Sequence, residues 1–202
     1  MKTEVYDLNG KQIRIPIAES YKDCMRLIKS DRYRISGKKE STLYVIWHGL
    51  LHAESSLLFW LRLCQYKGWL TPLFKIVFFH SKRKANVLMF TTTKIGYGFF
   101  ISHRVCLGVN SGTVIGNNVN ISQFDNIGTN IKTAAIIGDN VYIGPHVCLV
   151  DDVKIGSNST IGAGAVVTRD VPENATVAGV PAKVLNYDNP ARYIKNPWPV
   201  DE

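Results

Sequence analysis

From residue 95 to residue 167 an aliphatic side chain returns at intervals of six. The units open at Ile95, Ile101, Leu107, Ile115, Ile121, Ile127, Ile137, Ile143, Leu149, Ile155, Ile161 and Val167. Eight of these twelve residues are followed by glycine, and the fifth position is often aliphatic, as at Val105, Val119, Val141, Val147 and Val153. A helix of 3.6 residues per turn cannot keep a six-residue period on one face. An ordinary hairpin sheet would need denser turn signals. Short strands with a Gly- or Asn-rich corner every six residues instead wind into a parallel β-helix, with the aliphatic residues stacked inside as ladders. At three units per coil the twelve units make four coils, each about 4.8 Å above the last.

The register breaks twice. Two extra residues separate Leu107 from Ile115, and four separate Ile127 from Ile137. Counted from the opening residues, both insertions follow the third unit of a coil and are expected at one corner, one coil apart. Loops stacked in that way suit a binding edge, although corners also tolerate insertions without any function.

The pattern ahead of the repeat is different. Residues 1–17 read as irregular chain or a short strand pair closed by Pro16. Residues 19–30 suit a helix ending before Asp31. Residues 41–67 carry Leu, Trp and Phe at helical spacing, as two helices meeting near Gly49–Ala53, and residues 71–84 suit a helix that ends in Ser-Lys-Arg-Lys. The tail, 186–202, holds Pro190, Pro197 and Pro199 and is expected to lie extended. Three regions follow: a helical region 1–90, a β-helix 91–185 and a tail 186–202.

Composition adds an asymmetry. The chain has 202 residues, is 46% hydrophobic and carries a net charge of +8, as a globular rather than a disordered protein does. Residues 1–90 hold sixteen Lys+Arg against seven Asp+Glu (+9), and the remainder holds eight against nine (−1). Such a surplus attracts phosphate-rich partners or an anionic membrane surface, or forms a solvated basic face. No nucleic-acid-binding motif accompanies it, so nucleic acid is not an expected partner. No secretory signal pattern opens the chain, and its most apolar stretch, 43–61, is interrupted by His48, His52 and Glu54. Cys24, Cys64, Cys106 and Cys148 form no CxxC pair, which argues against a zinc ribbon and fits reduced thiols in the cytoplasm. Cys106 and Cys148 fall in one column of the repeat but two coils apart, beyond the roughly 7 Å Cα limit of a disulfide.

One residue does not suit the ladder. His103, in the stretch FFISHRVCLG, is the third residue of its unit. The same position on the next three coils is Gln123, Pro145 and Ala163, so the four residues form a column. An imidazole titrates near 6.5 and is well matched to remove a proton from an attacking alcohol near neutral pH. A histidine merely satisfied on a coil face is the plain alternative. His146, the other histidine of the repeat, lies two coils away, about 9–10 Å by strand spacing. A shared zinc ion needs each nitrogen at about 2.0–2.1 Å, so no metal is expected.

The repeat resembles the hexapeptide-repeat acyltransferases, which fold as a left-handed parallel β-helix. The closing stretch IGAGAVVTRDVPENATVAGVPAKVL, 161–185, is similar to the end of the serine acetyltransferase branch, and TKIGYGFFISH, 93–103, to that branch's approach to its catalytic histidine. With FWLRLCQYK at 59–67, the chain resembles the smaller serine-acetyltransferase-like proteins associated with polysaccharide biosynthesis. The resemblance implies a mainly β fold, with a left-handed parallel β-helix of about four coils preceded by a small α-helical region. It implies acetyl-CoA as the acyl donor, without a metal, and His103 as general base. It places the cofactor along Gly128, Thr129, Gly144, Pro145, Ala163, Thr168, Arg169, Val180, Pro181 and Lys183. In AGVPAK, Gly179 permits a tight turn, Pro181 rigidifies it, and Lys183 is offered to a phosphate. Lys183 and Arg169 are otherwise ordinary surface cations. The resemblance further implies a homotrimer with sites between neighbouring chains.

The acceptor side departs from the serine enzymes. Their aspartate before the histidine is Ser102 here, their loop Arg-His pair aligns with Thr133 and Ala134, and a further aspartate falls on Leu88. A zwitterion loses the charges that would hold it, and an uncharged polyol such as a sugar fits better. Ser102, Gln123 and Asp125 are the acceptor-side candidates, with Asp125 either orienting His103 from the next coil or capping a turn. The expected protein is therefore an acetyl-CoA-dependent O-acetyltransferase acting on a sugar hydroxyl of a surface polysaccharide. Its acceptor is a small molecule or glycan, met in the cytoplasm or at the inner face of the membrane, with peripheral membrane contact through the basic N-terminal half. The alternatives are a serine O-acetyltransferase, an enzyme acetylating a small xenobiotic, and a non-catalytic β-helix scaffold.

Overall fold

The computed structural model describes residues 1–131 and 133–200, with residues 53–55 as backbone alone. The N-terminus is an antiparallel hairpin of β1 (Lys2–Leu8) and β2 (Lys11–Ile17). Its turn residues Asn9 and Gly10 both have positive φ, which matches the twist of a tight hairpin. Leu8, Ile13 and Ile15 bury themselves against Val114 of the coil.

Helix α1 (Tyr21–Ser36) starts at Ser20, whose hydroxyl accepts the Asp23 amide, and stops at Gly37 in the left-handed region. It runs past the expected stop at Asp31 because Asp31 and Arg34 are buried and serve the coil behind them. Helices α2 (Thr42–Leu51) and α3 (Ala53–Cys64) are separated by His52 alone, and α4 (Thr71–Lys84) has a proline in its first turn. Helix α3 packs against α1, α2 and α4. Among the described residues no helix is long and apolar enough to cross a membrane.

The coil then begins. Its first turn supplies β3 (Lys94–Ile95), β4 (Phe100–Ile101) and β5 (Gly108–Val109). The second supplies β6 (Val114–Ile115), β7 (Asn120–Ile121) and β8 (Asn126–Gly128). The third supplies β9 (Ile136–Ile137), β10 (Tyr142–Ile143) and β11 (Cys148–Val150), and the fourth β12 (Lys154–Ile155), β13 (Thr160–Ile161) and β14 (Val166–Val167). Each strand pairs in parallel with its counterpart one coil on, giving three faces: β3-β6-β9-β12, β4-β7-β10-β13 and β5-β8-β11-β14. All twelve residues expected to open units are at most 2% exposed. Partial rungs extend the stack, Val171 on Ile155 and Val177 on Ile161. The second face ends with β15 (Thr176–Ala178) and an antiparallel β16 (Lys183–Asn186).

The expected register fails at one place. Val109, not Leu107, pairs with Ile127. The two extra residues therefore lie between the second and third faces, in the corner after Ile101, while the four-residue insertion follows the third face. The insertions occupy different corners, and the expected stacked edge does not form. Both Leu107 and Val109 are buried aliphatics, so the pattern alone could not choose between them. The shift also takes Cys106 out of the Cys148 column, where Cys148 pairs with Asn126 and Asn126 with Gly108. All four cysteines are free thiols.

A first coil has no coil beneath it, and its backbone polar groups need other partners. Arg62 donates to the carbonyls of Ile95 and Gly96, at 2.9 and 2.6 Å. Asp31 accepts from the Phe99 amide and Ser30 from the Gly98 amide. Arg34 donates to the Gly98 carbonyl, to Asn120 Oδ1 and to the Lys195 carbonyl. The helices thus complete the open end of the β-helix.

The tail does not hang free. The Ala191 amide donates to the Asn158 carbonyl, Asn120 donates to the Tyr193 carbonyl, and Asn118 exchanges two hydrogen bonds with the Trp198 backbone. Residues 191–198 run back down one corner of the coil to α1. Residues 201 and 202 of the expected tail lie outside the described residues.

Candidate active site

His103 follows β4 at the corner that holds the two-residue insertion. Its φ is 48°, a conformation uncommon for a residue with a Cβ. The Val105 amide turns back onto the His103 carbonyl at 2.6 Å, and the Cys106 amide reaches the Ala85 carbonyl just past α4. Ser102 still keeps the ladder, donating its amide to the Ile121 carbonyl at 2.8 Å. The chain is anchored up to Ser102 and tied again at Cys106, and His103 stands exposed between.

It stands at the floor of a cleft of about 860 Å³. The floor is Phe100, Ile101, Ser102, His103 and Arg104. Leu50 and Leu51 of α2, Leu57 and Trp60 of α3, and Val77, His80, Ser81 and Lys84 of α4 make the walls. These wall residues precede the repeat, and no motif in the sequence marks them as part of the site; the packing of α4 brings His80 to the same cleft as His103.

Ile101, Ile121, Ile143 and Ile161 lie on one face, which stacks Gln123, Pro145 and Ala163 two residues later, with the His146 amide on the Gln123 carbonyl and the Gly164 amide on the Pro145 carbonyl. On the first coil the Phe124 amide meets the carbonyl of Val105 rather than that of His103. The two extra residues are therefore His103 and Arg104: Val105 takes the expected place of His103 beneath Gln123, and the imidazole stands beside the foot of the column, one residue past Ser102, which keeps the register. Because Ile161 pairs with Val177, the column continues to Gly179. From the level of Ser102, beside the imidazole, to the AGVPAK turn is four coil spacings, roughly 19 Å. Gly179 has φ 100°, and the turn is pinned to β14 by the Val166 amide on the Gly179 carbonyl and the Ala182 amide on the Val166 carbonyl. Val180, Pro181 and Lys183 are exposed around it.

Other candidates lie elsewhere. Gly128 and Thr168 share the far end of the third face, a face's width from the Gln123 column, with exposed Arg169 next to Thr168. The Thr129 hydroxyl is engaged within its loop, donating to the Thr133 carbonyl at 2.8 Å. Gly144 is buried beneath the next coil, where a Cβ would come within 2.9 Å of the Ala163 nitrogen. Asp125 is 1% exposed. Its two oxygens accept the Ser122 and Val147 amides at 2.9 and 2.8 Å, and burial pushes its carboxyl up to about 7. The structure gives Asp125 the turn-capping place inside the coil rather than a place on the acceptor side. Among the described residues no three His, Cys, Asp or Glu side chains group so as to hold a metal ion.

The six-residue repeat of the coil is shared, over part of its length, with known proteins. Residues 134–169 match the family described as bacterial transferase hexapeptide (six repeats). Over 109 residues the chain is 38% identical to serine acetyltransferase 3, mitochondrial, of Arabidopsis thaliana, covering 52% of this chain and 28% of that protein. Over 53 residues it is 53% identical to the galactoside O-acetyltransferase of Escherichia coli K12, covering 26% of each. A solved serine acetyltransferase in complex with CoA superposes with a TM-score of 0.63 at 25% identity, covering 81% of this chain and 68% of that one. Residues 134–169 of the coil thus match the hexapeptide transferase repeat, and the chain is similar, over part of its length, to a serine acetyltransferase and a galactoside O-acetyltransferase. The chain spans about half or less of the length of the curated relatives it matches.

Proposed function

We propose that this chain transfers an acetyl group from acetyl-CoA to a hydroxyl, with His103 as general base. The observation that carries this reading is the column of Gln123, Pro145 and Ala163, which rises from beside His103 to the exposed turn bearing Val180, Pro181 and Lys183. An extended thioester arm laid along it reaches the imidazole while its nucleotide stays by Lys183, with Arg169 and Thr168 on the neighbouring face. The imidazole takes the hydroxyl proton as the oxygen attacks the thioester carbonyl. The tetrahedral intermediate expels the CoA thiolate, which recovers the proton from the imidazolium, leaving an ester and free CoA. Backbone amides at the coil corners steady the oxyanion.

A sugar of a surface polysaccharide is the acceptor favoured by the residues. Ser102 stands where an aspartate would hold an amino group, and the cleft walls are mainly apolar. L-serine is the second reading, favoured by the serine acetyltransferase relatives. Three chains around a threefold axis complete the site between neighbours, and the work is done in the cytoplasm.

Thiol release from acetyl-CoA tests the reading, with L-serine and a panel of sugars, in wild type and His103→Ala. Release with sugars that vanishes in the variant supports it. Release with serine alone replaces the acceptor, and equal release by the variant removes His103 from the reaction.

A further inference from the structure

The helices that wall the cleft leave apolar side chains outside the fold. On α4, Leu73, Ile76 and Phe79 recur every three residues and are 56%, 68% and 52% exposed, opposite the face that buries Phe78. Trp69, just ahead of the helix, is 84% exposed. On α2, Leu43, Trp47, Leu50 and Leu51 make a second such stripe. Leu50 and Leu51 continue into one wall of the cleft, and Val77 and His80 of α4 into the other. Single exposed apolar residues are ordinary, but two stripes flanking one opening are not.

The charge around them says what covers them. From Gln65 to Phe90 there are five Lys+Arg and no Asp+Glu. Lys82 and Arg83 stand 5.7 and 5.4 Å over the ring of Phe79, so the cationic heads ride on the apolar stripe. An apolar stripe bordered by cations, with a tryptophan at its end, is the composition of a helix lying in a membrane interface. A nucleic acid would use the cations but have no use for the Leu and Ile stripe. At 14 residues α4 lies on a bilayer rather than through it.

We infer that the α2–α4 face rests on an anionic lipid bilayer, and that the hydroxyl brought to His103 is therefore carried on a lipid whose headgroup enters the cleft from the membrane side. The acceptor clause rests on the proposed role of His103, whereas the docking clause does not. The face and the cleft share walls, so a lipid held at the stripes presents its headgroup to the floor without leaving the bilayer.

Flotation of the full chain with vesicles tests docking. Vesicles of equal parts phosphatidylglycerol and phosphatidylcholine should carry it, and pure phosphatidylcholine should carry much less. Leu73→Asp with Ile76→Asp should weaken binding about tenfold, with an unchanged circular dichroism spectrum, and His103→Ala should float like wild type. Wild type that does not float, or a double variant that floats equally, overturns docking. Self-association removed by the double substitution, without vesicle binding, assigns the face to a second copy and also overturns it. For the acceptor, dodecyl maltoside embedded in the anionic vesicles is compared with soluble maltose. A preference of about tenfold for the embedded hydroxyl, lost in the double variant while its turnover of maltose is retained, supports the clause. No preference, including no transfer to either, overturns it. Failure of His103 as the base shows separately, as thiol release that His103→Ala leaves unchanged.

Discussion

Arg62 and Asp31 meet fork to fork inside the protein, Nε on Oδ2 at 2.8 Å and Nη2 on Oδ1 at 2.9 Å. Both residues then pass on to the first coil, one to carbonyls and the other to an amide. The pair thus joins α1, α3 and the open end of the β-helix. Removing one member of a buried pair leaves the other charge without a partner, which costs about 3–5 kcal/mol. Arg62→Met should lower stability by about that amount in urea unfolding, and Arg62→Lys should not restore it, because an ammonium cannot reproduce the fork.

His103 is exposed, so its side chain matters little to stability. Its backbone is another matter, since positive φ suits Asn better than Ala. His103→Asn should keep the wild-type melting temperature while acetyl transfer falls about 10²–10⁴-fold. A variant that retains transfer would leave the imidazole a bystander at the corner.

Asp125 makes stability depend on pH. Its carboxyl titrates near 7 when folded and about 4 when unfolded, so the folded state holds the proton more tightly. Stability from this group is present in full below about pH 4 and is lost as pH rises through about 7. The stability of wild type relative to Asp125→Asn should therefore fall across that window. A difference that stays flat from pH 4 to pH 8, followed by thermal melts, would mean the carboxylate ionises inside the coil at no extra cost.

The tail can be tested at Asn118, which has φ 57°, donates from Nδ2 to the Trp198 carbonyl and accepts the Trp198 amide at Oδ1. Asn118→Gly keeps the corner conformation and removes only those bonds. A loss of about 1–3 kcal/mol is expected, with faster proteolysis after residue 190. Unchanged proteolysis would mean the tail is held elsewhere.

Glycine after the aliphatic residue has a steric cause on the first face. A Cβ on Gly116 would lie 2.5 Å from the carbonyl carbon of Gly138, and one on Gly96 would lie 2.6 Å from that of Gly116. Gly116→Ala should force the coils apart and cost about 1–3 kcal/mol, read as a lower melting temperature.

The ladder was legible because its period belongs to one structure, and each of its twelve residues is buried. The site was legible in part. Counting from Ile101 brings His103 beside the column, but the two-residue insertion begins at His103 itself, and Val105 takes the place beneath Gln123. What the repeat could not convey was contributed by other segments. Leu107-Gly108 imitates a unit opening, and only strand pairing shows that Val109 holds the place. Asp31 reads as a helix stop until its carboxylate is seen facing the coil. The cleft walls come from α2, α3 and α4, whose spacing reports a buried face but not which neighbour buries it. The tail reads as extended, whereas it turns at Ala191–Ile194, and nothing in its prolines says that it runs along the asparagine corner.

The capping of the first coil, and of the second face at the far end, has a further consequence. A stack of parallel rungs is a template, and an open rung invites another chain to add itself. Here Arg62, Arg34 and Asp31 occupy the first rung, and at the far end β16 turns antiparallel onto β15 and ends the second face. At the first coil the residues that hold the helices in place are also the ones that keep another chain from adding a rung.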